Sequence, residues 1–162
     1  MKILGIDPGT ARIGWSILST HPTHPFLNAY GLITTDANLS QEARLSTLYD
    51  DLSAVLTKFQ PDCASVEDLY FANNAKTALA VGQARGIILL ACFQHHVPIF
   101  SYSPLTIKRT ITSDGTADKR QILMMIMKLL HLTTAPKPDD IADAIAIALT
   151  HAYTYKWKEA VV

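Results

Sequence analysis

A chain of 162 residues with no formal net charge, 49% of it hydrophobic and 17% charged, has the length of one domain and the composition of a packed core, which excludes a disordered or low-complexity chain. Its longest apolar runs, Gly86 to Phe93 and Ile141 to Leu149, fall far short of the roughly 20 residues that span a bilayer. Cys63 and Cys92 stand alone, without a CxxC pair or a histidine at zinc-ligand spacing, which excludes a disulfide framework and a structural zinc site and leaves two buried thiols.

Lys2 to Asp7 is aliphatic, as a buried strand is, and ends in the turn signal Pro8-Gly9-Thr10. No secretion signal precedes it, so the expected location is the cytoplasm. Ile13 to Leu18 and Ala29 to Thr35 read as second and third strands with short, antiparallel connections. Between them, His21-Pro22-Thr23-His24-Pro25 reads as a stiff, solvated turn. After Ser40, a cap, the residues Leu45, Leu48, Leu52, Val55, Leu56 and Phe59 recur at helical spacing until Pro61.

Cys63 to Val66 is a short apolar strand ending in Glu67, Asn74 to His95 a long helical pattern, and Val97 to Tyr102 a fifth strand. A short helix near Pro104 to Ile111, a polar turn at Ser113-Asp114-Gly115 and an apolar helix from Ala117 to Leu130 come next. Pro138 is placed to open a last helix reaching Tyr155. The order predicts one α/β domain over residues 1–162, a five-stranded mixed sheet flanked by helices.

Three separated segments each deliver a carboxylate at an element boundary: Asp7, Glu67, and the pair Asp140 and Asp143. Three residues apart on a helix, Asp140 and Asp143 address one point in space. A cluster of like charges needs cations to stay ionised, and hard oxygen ligands favour magnesium or manganese. Asp139 is also compatible in spacing with Asp143. From Leu69 to Pro138, eight basic residues face only Asp114 and Asp118, a local excess of positive charge that points toward a polyanion.

Gly5-Ile6-Asp7-Pro8-Gly9-Thr10, Val66-Glu67-Asp68-Leu69-Tyr70-Phe71, Gly82-Gln83-Ala84-Arg85-Gly86 and Asp140-Ile141-Ala142-Asp143-Ala144 resemble the successive signatures of the RuvC family, in order and spacing, over nearly the whole chain. The resemblance implies a ribonuclease H-like fold and a homodimer that resolves four-way (Holliday) DNA junctions in recombination and repair. It implies Asp7, Glu67, Asp140 and Asp143 as catalytic, metal-binding carboxylates for Mg2+ (or Mn2+), two ions per site, and its Asp-x-x-Asp-Ala register selects Asp140 over Asp139. Lys108 and Lys119 fall where the family has functional lysines. Tyr70 stands where phenylalanine is common at a base-stacking position, with Phe71 beside it, and Asp114 enters a turn that is usually richer in glycine. Gln83 and Arg85 belong either to a dimer surface or to the DNA path. RuvA- and RuvB-like branch-migration proteins are the partners such a nuclease implies. Two other functions share parts of this pattern: a ribonuclease H-like nuclease acting on RNA or other DNA structures, and a non-catalytic junction-binding module.

Overall fold

The computed structural model describes residues 1–9, 11–21, 24–68 and 75–159, with backbone alone for 75–77 and 156–159. Five strands, β1 Lys2–Asp7, β2 Arg12–Ser19, β3 Phe26–Thr34, β4 Cys63–Glu67 and β5 Ile99–Tyr102, form one sheet in the order β3-β2-β1-β4-β5. β1, β2 and β3 pair antiparallel, as their short links require, whereas β4 joins β1 and β5 joins β4 in parallel through helical crossovers. The helices are α1 Gln41–Phe59, α2 Ala75–Gln94, α3 Pro104–Thr112, α4 Lys119–Leu129 and α5 Asp139–Glu159. Among the described residues no helix is long and apolar enough to cross a membrane.

Capping sets the helix starts. Ser40 accepts a hydrogen bond from the Ala43 amide, Ser103 from the Thr106 amide, and Asp118 forms a capping box with Gln121. The capping box moves the start of α4 to Lys119, two residues beyond the Ala117 that apolar spacing indicates. β5 likewise starts at Ile99 rather than Val97: His96 adopts a positive φ of 58° and the Val97 amide bonds back to the Cys92 carbonyl, closing α2. β3 starts earlier than its apolar pattern, because Phe26 pairs with Ser19 beyond a bulge at Ile17/Leu18.

Strand alternation sorts the core into two layers. Leu4, Ile6, Ala64 and Val66 face α1 and α2 and pack with Leu48, Leu52, Leu56 and Ile88. Ile3 and Cys63 face the other way, with Ile107, Ile126 and Ile145 of α3, α4 and α5. Both cysteines are free and buried, and burial pushes each thiol up to about 12.

On this second face α5 lies almost in contact with the sheet. A Cβ on Gly5 would sit 2.2 Å from the Ala144 carbonyl oxygen, and one on Gly14 only 1.8 Å from that of Asp140. Ser16 Oγ donates to the Ala144 carbonyl at 3.0 Å and Ser65 Oγ to that of Ile147 at 3.3 Å. Small strand residues thus let the helix backbone approach, and two hydroxyls fasten it there. The close seat of α5 determines where its acidic first turns lie.

Candidate active site

Alternation also aims the strand-end carboxylates. Asp7 follows Ile3 and Gly5 on the α5 face of β1, and Glu67 follows Cys63 and Ser65 on the same face of β4. The parallel register Ile6 to Val66 carries both side chains out of the sheet side by side. One cleft of about 370 Å³ is lined by Asp7 and Glu67 from the sheet, Asp143 from α5, Lys108 from α3 and Lys119 from α4. Five sequence-predicted residues from five elements therefore meet in one place.

The carboxylates strain against one another. Burial, reinforced by Asp143, Glu67 and Asp140, raises Asp7 to about 7. Glu67 is raised too, by burial and then by Asp143, with Lys119 and Lys108 opposing. Lys119 Nζ donates to Asp143 Oδ2 at 2.9 Å, and this bond holds the lysine above its ordinary value. Asp140 lies at the edge of the group, its Oδ2 3.5 Å from Arg12 Nε and enclosed without a hydrogen-bond partner. Of the two neighbouring aspartates, Asp140 is the one whose charge acts on Asp7, whereas the exposed Asp139 acts on Lys119.

As placed, no three Asp, Glu, His or Cys side chains among the described residues converge on one ion-sized point. Lys119 and Arg12 engage two of the acidic groups instead. The chemistry of the set nevertheless fits a hard divalent cation: the acidic donors are all oxygens, two are driven toward protonation by burial and then by the negative charge of neighbouring carboxylates, and one oxygen is enclosed and unsatisfied.

Arg85 is turned to the protein itself, its Nη2 bonding Asp68 Oδ1 at 3.0 Å and Ser101 Oγ at 2.9 Å. Gln83 is exposed on α2 and accepts from Gln41 at 3.1 Å. Tyr70 and Phe71 lie outside the described residues. Asp114 binds its own turn, accepting from the amide and hydroxyl of Thr116, both at 2.8 Å. Arg12 went unnoticed in the sequence. Strand alternation places it on the same face as Gly14, but only the seating of α5 on that face brings it to Asp140.

Carboxylates at adjoining strand ends and on one helix, overlaid by two lysines, on a mixed sheet of ribonuclease H-like order, define a nuclease of that fold class. The family model for the crossover junction endodeoxyribonuclease RuvC matches residues 3–151. A crossover junction endodeoxyribonuclease RuvC from Chloroflexus aurantiacus is 48% identical over 154 residues, 95% of this chain and 94% of that one. Thermus thermophilus RuvC, solved in complex with a Holliday junction substrate, superposes with a TM-score of 0.92 at 31% identity, covering 98% of this chain and 96% of the other. The yeast mitochondrial Holliday junction resolvase has the same fold at 16% identity, with a TM-score of 0.72 over 97% of this chain and 80% of the other. The chain belongs to the RuvC family of crossover junction endodeoxyribonucleases.

Proposed function

We propose that this chain resolves four-way DNA junctions in the cytoplasm, as a single nuclease domain over residues 1–162 that hydrolyses one phosphodiester per active site with the help of divalent cations. The observation that carries the reading is the meeting of Asp7, Glu67 and Asp143 with Lys108 and Lys119 in one cleft. Asp7, Glu67, Asp140 and Asp143 would hold Mg2+ or Mn2+, two ions per site. When bound, such ions supply charge that offsets the phosphate and favour ionisation of an attacking water.

The protein's own groups do the rest. Asp7 and Glu67, fixed by the strand register, hold one wall of the cleft rigid. Lys119 reaches the scissile phosphate and neutralises charge that develops there, while Lys108 faces the same cleft from α3 and binds a neighbouring phosphate. Tyr70 and Phe71 stack on bases opened at the junction. The products carry 5′-phosphate and 3′-hydroxyl ends.

Paired nicks require two sites at fixed separation, which a two-fold dimer supplies. An outward stripe of α2 supports a dimer: Leu79 is 70% and Phe93 77% exposed, Leu90 lies between them, and Gly86 has open space above it. RuvA- and RuvB-like proteins are the proposed partners for delivery to the junction. The deciding experiment incubates the purified protein and Mg2+ with a mobile four-way junction, plain duplex, flap DNA and an RNA–DNA hybrid. Paired symmetric nicks in the junction alone are expected. Preferential cutting of the hybrid, or binding without cutting, would overturn the reading.

A further inference from the structure

Arg12 opens β2 at the end of the sheet that carries the carboxylates. It shares a strand face with Gly14, whose missing Cβ admits the Asp140 carbonyl. The guanidinium therefore lies beside α5, with Nε 3.5 Å from Asp140 Oδ2. That separation is too long for a strong charge-assisted hydrogen bond. The arginine side chain stays 57% exposed while Asp140 Oδ2 is enclosed. Arg12 also lines an open hollow of about 570 Å³ with Lys137, Pro138 and Asp139.

We propose that Arg12 exchanges partners: it neutralises Asp140 while no divalent ion is bound, and turns to a DNA backbone phosphate in the hollow beside Lys137 once an ion holds Asp140. This inference rests on the reading of the site as a metal-dependent junction nuclease. The energetics permit it, because a long ion pair with a half-exposed cation is weak and an ion can displace it at little cost. Geometry permits it as well, since a guanidinium forks onto a phosphate with two parallel hydrogen bonds.

Charge in the hollow gives the exchange its direction. While Arg12 is committed to Asp140, the formal charges of the other residues lining the hollow, Lys137 and Asp139, cancel. Release of Arg12 leaves one uncompensated positive charge there. Ion binding and DNA binding then strengthen each other, and the coupling must be reciprocal. Lys119 differs: its pair with Asp143 is a full hydrogen bond, and it already lines the cleft of Asp7 and Glu67.

The test uses the intact protein and two readouts that do not depend on cleavage. Calorimetric titration of the DNA-free protein with Mn2+ should show Arg12→Gln binding the ion about threefold more tightly, the size set by loss of a long, weak pair with a half-exposed cation. Anisotropy with a synthetic four-way junction in Ca2+, measured across a salt series, should show weaker binding by the same variant, with a log–log slope shallower by about 0.9. Arg12→Lys should restore the slope. Opposite signs in the two titrations support the exchange. An unchanged slope, or Mn2+ affinity that is unchanged or falls together with melting temperature, overturns it and leaves Arg12 a surface or structural residue. If the wild-type protein binds neither Mn2+ nor the junction, the functional reading itself fails; if it binds both and Arg12→Gln behaves identically, only the exchange fails.

Discussion

Lys119, the first residue of α4, donates a hydrogen bond to Asp143 in α5 across 2.9 Å, tying the basic wall of the cleft to its acidic wall. The lysine is 70% exposed and the aspartate 30%, so the pair adds little to stability. Under the proposed function its value lies in placing a cation where a phosphate would react. Lys119→Ala should slow nicking by about 100-fold, comparable to the loss of one charge-stabilising donor, while junction affinity falls only severalfold. Equal losses in single-turnover rate and affinity would make Lys119 an ordinary backbone contact.

Asp143→Asn keeps the shape of the side chain and removes its charge. Nicking in Mg2+ should nearly vanish. Junction binding in Ca2+ should survive or tighten, because one anion fewer faces the DNA phosphates. Melting temperature should hardly move. A stable variant that nicks at the wild-type rate would remove Asp143 from the proposed ligand set.

Asp7 should cost the metal-free fold stability. Burial and the neighbouring carboxylates raise its pKa from the ordinary 3.8 to about 7, so the folded state binds a proton more tightly than the unfolded one. The penalty is absent below about pH 4, grows as pH rises through the interval, and is complete above pH 7. Asp7→Asn should therefore stabilise the metal-free protein at pH 8 by on the order of 4 kcal/mol while abolishing cleavage. The gain should shrink toward pH 4 in thermal melts with chelator present; a gain independent of pH would point to packing instead.

Gly14→Ala inserts a methyl group where the Asp140 carbonyl oxygen already stands, at 1.8 Å. The start of α5 must shift, at a cost of about 3 kcal/mol, and carry Asp140 and Asp143 with it. Chemical denaturation should show the lost stability, and nicking should fall further than the unfolded fraction explains. Wild-type activity in a stable Gly14→Ala protein would show that the close seat of α5 is not what positions the site.

For the dimer, Leu90→Glu with Phe93→Glu places two charges in the exposed stripe of α2. Sedimentation should give a monomer, and nicks at a junction should become unpaired, one strand at a time. A variant that still sediments as a dimer would move the interface elsewhere.

The sequence by itself determined the element order, the mixed sheet and the positions of the carboxylates along the chain. These follow from local physics: apolar periodicity distinguishes strands from helices, and serines and prolines punctuate them. Alternation in β1 and β4 then dictates that Asp7 and Glu67 share a face once the register is known. The register itself is a long-range pairing, and only the tertiary structure decided it. The same holds for α5, whose approach depends on Gly5, Gly14, Ser16 and Ser65 lying beneath one helix, though they are scattered over three strands. Charge partners were equally illegible, because an arginine or lysine has the same propensity whatever it meets in space. Arg85 turned to Asp68 and Ser101 rather than outward, Arg12 found Asp140 from 128 residues away in the chain, and His131 came within 6.4 Å, ring centre to ring centre, of His24 in the β2–β3 turn. Local spacing carries no information about which surfaces fold together. That is set by the packing of α5 onto the sheet, and with it the order in which carboxylates and cations face one another across the cleft.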